Sequence, residues 1–147
     1  MKNKSAKLLF SICIAACLLV TAAAQAAPVS QEAKEAVQAF NLEMGRALEQ
    51  MSTDDVQIAG NGFIASGTFI FSAMYAMNAM EFHDEYTNAD LVRLQMSDPM
   101  MKGTINGMCG TISGFKTLIP NEVKRTALKF TYIDVNGRSF KIDHDCK

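Results

Sequence analysis

The sequence predicts an α+β fold in the order α-β-β-α-α-β-β: a four-stranded antiparallel sheet, helices on one of its faces, and one disulfide. Three observations predict it. Ser30 to Met51 repeats apolar residues at helical spacing. Two later stretches, Val56 to Met77 and Leu128 to Cys146, are rich in strand formers and interrupted by glycine turns. Cys109 and Cys146 flank the last hairpin and lie far beyond an export-like N-terminus.

In the first helix Ala33, Val37, Phe40, Met44, Ala47 and Met51 form an apolar stripe at steps of four and three. Ser30 suits the N-cap and Glu32 the positive end of the helix dipole. Ser52-Thr53-Asp54-Asp55 ends the run. The chemistry then turns to β, with Val56, Ile58, Phe63, Ile64, Phe69, Ile70 and Phe71 punctuated by Gly60, Gly62 and Gly67. Ser66-Gly67 is expected to be the hairpin turn and Gly60-Asn61-Gly62 a bulge, although the reverse is open on pattern alone. The second strand is expected from Thr68 to about Met77; Ser72 to Phe82 is rich in Ala and Met, which leaves strand or helix open there.

After a polar connection from His83 to Thr87, Asn88 can cap a helix carrying Leu91, Val92, Leu94 and Met96. Asp98-Pro99 starts another, with Met101, Ile105 and Met108 on one side and Gly110 as its stop. Residues 111–122 read as a loop with one helical turn at most. In the C-terminal hairpin, a two-residue Asn136-Gly137 turn would set Tyr132 against Lys141 and split the apolar sets between faces. A type I turn from Asp134 with a left-handed Gly137 pairs Tyr132 with Phe140 and Phe130 with Ile142. Cys146 shares their inward parity, so a Cys109–Cys146 bond would tie helix to sheet across the core.

The first 26 residues have the three parts of a cleavable export signal: Lys2, Lys4 and Lys7, an uncharged apolar run from Leu8 to Ala24, and Ala24-Gln25-Ala26. The expectation is cleavage after Ala26, leaving residues 27–147 as one α+β domain in the periplasm with no stable membrane span. The alternatives are an uncleaved N-terminal anchor, or a lipid anchor at Cys17 in Ile14-Ala15-Ala16-Cys17. In an oxidising compartment the two remaining cysteines imply a disulfide, and their spacing lacks the C-x-x-C of a redox pair.

Charge is uneven. Eleven acids face three bases between Glu32 and Asp98, whereas eight bases face four acids from Pro99 onward. That balance argues against a nucleic-acid reader, which needs a basic face. The sharpest candidate chemistry is Met74-x-x-Met77-x-x-Met80-x-x-His83, whose thioethers and imidazole suit Cu(I) or Ag(I). Steps of three drift around a helix and alternate across a strand, so the four cannot all meet one ion in either form. His83-Asp84-Glu85 and His144-Asp145-Cys146 fall short of the three or four convergent ligands a metal needs. Ser66 and Ser113 sit in turn contexts rather than G-x-S-x-G, and there is no phosphate-cradling glycine loop.

Asn106-Gly107-Met108-Cys109, Leu118-Ile119, Phe130-x-Tyr132-x-Asp134-x-x-Gly137 and the closing Cys146 resemble a group of small exported bacterial proteins of uncharacterised function. The resemblance implies a first helix and hairpin ahead of the Cys-bearing helix, and no activity. Taken together, the residues point to a non-catalytic periplasmic binding or accessory protein, without a cofactor, acting on another envelope protein as adaptor, chaperone-like or inhibitor module. A soft-metal binder through Met74, Met77, Met80 and His83 is the alternative. Neither reading requires an enzyme.

Overall fold

The computed structural model describes residues 28–147, so the expected export signal and its alternatives lie outside the described residues. The elements are α1 (Gln31–Met51), β1 (Val56–Ala65), β2 (Thr68–Met77), α2 (Asn88–Ser97), α3 (Pro99–Ser113), α4 (Phe115–Leu118), β3 (Arg125–Ile133) and β4 (Ser139–Cys146). The order agrees with the expectation, and Ser72 to Met77 is strand. The strands lie side by side as β1-β2-β3-β4. The sheet is mixed rather than wholly antiparallel. Both hairpins are antiparallel, but β2 and β3 run parallel, Phe69 beside Thr126 and Tyr75 beside Tyr132. A parallel pair needs a long crossover, and residues 78–124, with α2, α3 and α4, supply it.

Both hairpin turns follow the sequence reading. Ser66 and Gly67 both have positive φ, 48° and 74°, and close the two-residue turn between Ala65 and Thr68. Gly137 has φ 82° and its N–H donates to the Asp134 carbonyl at 3.0 Å. The register that follows sets Tyr132 against Phe140 and Phe130 against Ile142.

One sheet face carries the core. Phe69, Phe71, Ala73, Leu128, Phe130, Tyr132, Phe140 and Ile142 point into it and meet Leu48, Leu91, Met101, Ile105, Ile112 and Phe115 from the helices. Aromatic rings organise it in two groups. Phe40 of α1 stands edge-on to Phe69, Phe71 and Phe115, and Phe69 stacks on Phe115 at 3.8 Å. Across the other strands Tyr75, Tyr132 and Phe140 stack in one row at 4.8 and 5.0 Å. Burial raises the ionisation of both tyrosines above the usual phenol range.

Local expectations needed correction at four places. The α1 stripe turns slightly, so Ala33 and Leu48 are buried while Ala47 and Met51 are exposed. The cap of α2 is Thr87, whose hydroxyl accepts from Asp90 N–H while Asp90 accepts from Thr87 N–H, a capping box. Helix α3 continues past Gly110 to Ser113, because Gly110 keeps a negative φ and does not reverse the chain. Gly60 and Gly62 form no bulge: they pair regularly with Ala73 and Phe71. Their missing side chains admit the helix instead. A Cβ on Gly62 would lie 2.4 Å from Phe69 Cζ and 3.0 Å from Phe40, and one on Gly60 3.1 Å from Leu48 Cδ1.

Two ties complete the fold. Cys109 and Cys146 are bonded, with Cα atoms 5.4 Å apart, and join α3 to β4. Both are half-buried, so the bond lies at the rim of the core rather than across it. At the opposite end, the buried Asp134 carboxylate accepts N–H groups of Phe82 at 3.0 Å, Asn136 at 2.9 Å and Arg138 at 2.8 Å. The Arg138 guanidinium donates to the carbonyls of His83 and Tyr86, and Val135 N–H to that of Met80. The loop leaving β2 is thus bound to the β3–β4 turn.

Three outcomes are expected from these contacts. Reducing the disulfide, or replacing both cysteines with serine, closes no loop over the 37-position separation and should lower unfolding free energy by about 4 kcal/mol in urea titrations. The N–H of Phe82, then those of Arg138 and Asn136, hold the Asp134 carboxyl below the usual carboxylate range. Its contribution is therefore complete above about pH 4 and lost as pH falls through the lowered value. Asp134→Asn should be less stable at pH 7, and its melting temperature should fall less steeply between pH 5 and 2 than that of the parent protein. Gly62→Val should destabilise by roughly 1–3 kcal/mol through displacement of Phe40 and Phe69, read in the same urea titrations.

Candidate functional site

Alternation along the strands fixes what the second sheet face presents. On β1 and β2, Phe63, Ala65 and Ile70 form an apolar patch beside the turn, and the polar Asn61–Ser72 pair separates it from Ala59, Met74 and Ala76. Lys129, Thr131 and Ile133 of β3, then Lys141, Asp143 and Asp145 of β4, form a charged half. No described element covers this face. Phe63 is 38% and Met74 45% exposed, one in each patch.

The patch around Phe63 continues around the edge of the sheet at β1. The Ala65–Thr68 pair beside the turn means that odd-numbered β1 residues bond to β2, while Val56, Ile58, Gly60, Gly62 and Ile64 aim their backbone groups outward. An exposed edge of this length invites strand addition. Side chains from α1 and its end occupy much of it. Asn41 Oδ1 accepts from Gly62 N–H at 2.6 Å and its Nδ2 donates to Gly62 O at 2.9 Å. Ser52 Oγ accepts from Ile58 N–H at 2.9 Å, and Thr53 N–H donates to Val56 O at 2.8 Å. Among the described residues, Gly60 and Ile64 have no such partner.

At Ile64 the edge opens into an apolar groove of about 430 Å³ between the first turns of α1 and β1. Val29, Val37, Phe63 and Ile64 form its walls, and Lys34, Gln38 and Asn41 its polar rim. Phe63 belongs to both the groove and the open face, so the two surfaces are continuous. Concave apolar surface with a few polar groups at the rim is the usual form of a binding site.

The other candidates fare differently. Met74 projects from the open face, whereas Met77 packs against the core on the opposite side of β2. Met80 is exposed in the following loop, and His83 stands against Tyr86 with ring centres 6.0 Å apart. The structure therefore does not bring Met74 and Met77 to one ion. Among the described residues, no three His, Cys, Asp or Glu side chains lie where they could hold a metal. His144 is half-buried and lines a shallow cleft with Cys109, Asn106, Ser113 and Lys147; the Ser113 hydroxyl there donates to Gly110 O. Thr126, opposite Cys146, has a buried hydroxyl without a partner among the described residues.

The apolar patch of the open face lies one hairpin away from its charged Lys129, Thr131 and Ile133 side. The groove was missed. Its one legible trace is Lys34, which has Ser30, Gln31, Val37 and Gln38 at the helical neighbour spacings and no acid among them, whereas Arg46 has Glu43 and Glu49 three away. Among the described helices, none is long and apolar enough to cross a membrane. Among family models, curated proteins and solved structures, none matches this chain.

Proposed function

We propose that this chain is a non-catalytic binding or accessory protein of the bacterial periplasm, an adaptor, chaperone-like or inhibitor module whose partner is another envelope protein. The observation that carries the reading is the continuous apolar surface around Phe63, from the open sheet face to the edge groove. A rigid frame supports that surface: the disulfide and the Asp134 clamp secure both ends of the sheet. Fixed presentation lowers the ordering cost of association. The export-like N-terminus and the cysteine pair support an oxidising compartment.

Buried aromatic anchors dominate most interfaces, and Phe63 is the exposed aromatic at the junction of the two surfaces. Immobilised protein should retain a discrete envelope protein from extract. Phe63→Asp should reduce that retention roughly tenfold or more, while Lys102→Asp, on exposed helix surface, should leave it intact, with thermal melts confirming that both variants are folded. Retention that ignores Phe63→Asp would overturn the reading.

A further inference from the structure

We infer that the groove beside Ile64 captures the C-terminal residue of an extended partner chain, an apolar residue bearing its free carboxylate. The inference rests on the binding reading above and adds the chemistry of what is bound. The groove floor carries the argument. Ile64 turns its N–H and C=O outward into an apolar recess, and neither has a partner among the described residues. An acyl chain would fill the recess but leave both backbone groups dry and unpaired, which is costly. A peptide satisfies them.

The length of the opening selects the end of a chain rather than its middle. On one side Asn41 already holds both backbone groups of Gly62. On the other, the strand ends at Ala65 and the chain turns at Ser66-Gly67. One residue of strand is available, so a long added strand would meet Asn41. A single terminal residue lying antiparallel to β1 makes the full set: its N–H donates to Ile64 O, and a carboxylate oxygen accepts from Ile64 N–H. Its side chain then lies on the same face as that of Ile64, toward Val37 and Val29. Lys34 reaches the groove on a flexible stem and is free of acids at helical spacing, so it complements the second carboxylate oxygen. The remaining partner chain leaves toward solvent.

The test uses the isotope-labelled protein as it accumulates in cells, and tetrapeptides ending in leucine as free acids and as amides. The free acid should bind weakly and shift the amide signals of Val37, Phe63 and Ile64. Amidation and Lys34→Ala should each weaken binding about fivefold, the size of an exposed ion pair, and should not compound. Ile64→Pro removes the outward N–H without touching the β1–β2 ladder and should weaken acid and amide alike; Lys34→Ala keeps the test decisive if that variant does not fold. Equal binding of acid and amide, preference for an internal Asp peptide over a terminal leucine, or shifts confined to the open face would each overturn the inference. So would a groove that binds only after removal of the residues preceding Pro28, since this chain would then fill it. Peptide failure with Phe63-dependent partner retention intact overturns the inference alone; loss of both overturns the binding reading as well.

Discussion

The parallel contact between β2 and β3 is the constraint on which the rest of the structure depends. Two antiparallel hairpins could each be closed by a tight turn, but a parallel join at the centre cannot. The chain must travel from the end of β2 back to the start of β3, and it does so over one face only, as α2, α3 and α4. That single-sided crossover explains why Tyr132 and Phe130 are buried while Lys129 and Met74 are not. It also explains the Asp134 clamp. The loop leaving β2 emerges beside the β3–β4 turn, so its backbone groups meet those of the turn and one carboxylate can serve both.

The two edges of the sheet are protected by different chemistry. At β4, Lys141, Asp143 and Asp145 place alternating charge along the outer strand, a common deterrent to strand addition. At β1 the protection is by imitation: Asn41 and Ser52 present amide and hydroxyl groups where a neighbouring strand would present peptide groups. Gly60 and Gly62 make this possible, because only a strand without Cβ atoms lets α1 approach closely enough for a short side chain to reach the backbone. The edge is then interrupted rather than sealed. Close helix packing and a local opening are two results of one arrangement.

What the sequence revealed follows from how local each signal is. The C-terminal register was legible because the type I turn with Gly137 aligned Tyr132 with Phe140, whereas a two-residue Asn136-Gly137 turn split the apolar set. The Ser30 and Asp98 caps and the Ser66-Gly67 turn were legible for the same reason, since their chemistry sits within four residues, whereas the α2 cap fell one residue earlier than Asn88, at Thr87. The direction of β3 relative to β2 was not, because Phe69, Phe71 and Phe130 bury equally well in either orientation. Gly60 and Gly62 read as a bulge because a bulge and a close helix approach both ask for glycine; Phe40, twenty-two positions before Gly62, decides between them. The groove was invisible for a related reason. Val29, Val37 and Ile64 look like ordinary core residues until the fold leaves them at an edge.

Cys146 closes β4, the strand that follows every other described element. Its partner strand β3, the crossover helices and the first hairpin must all precede it through any ribosome or export channel. The local α1–β1–β2 contacts involve neither cysteine, so they can form before the bond exists. A thiol at residue 146 meets Cys109 only once β4 has found β3 in register. The disulfide works as a lock on the sheet, and a Cys146→Ser chain would reach the same topology without that fastening.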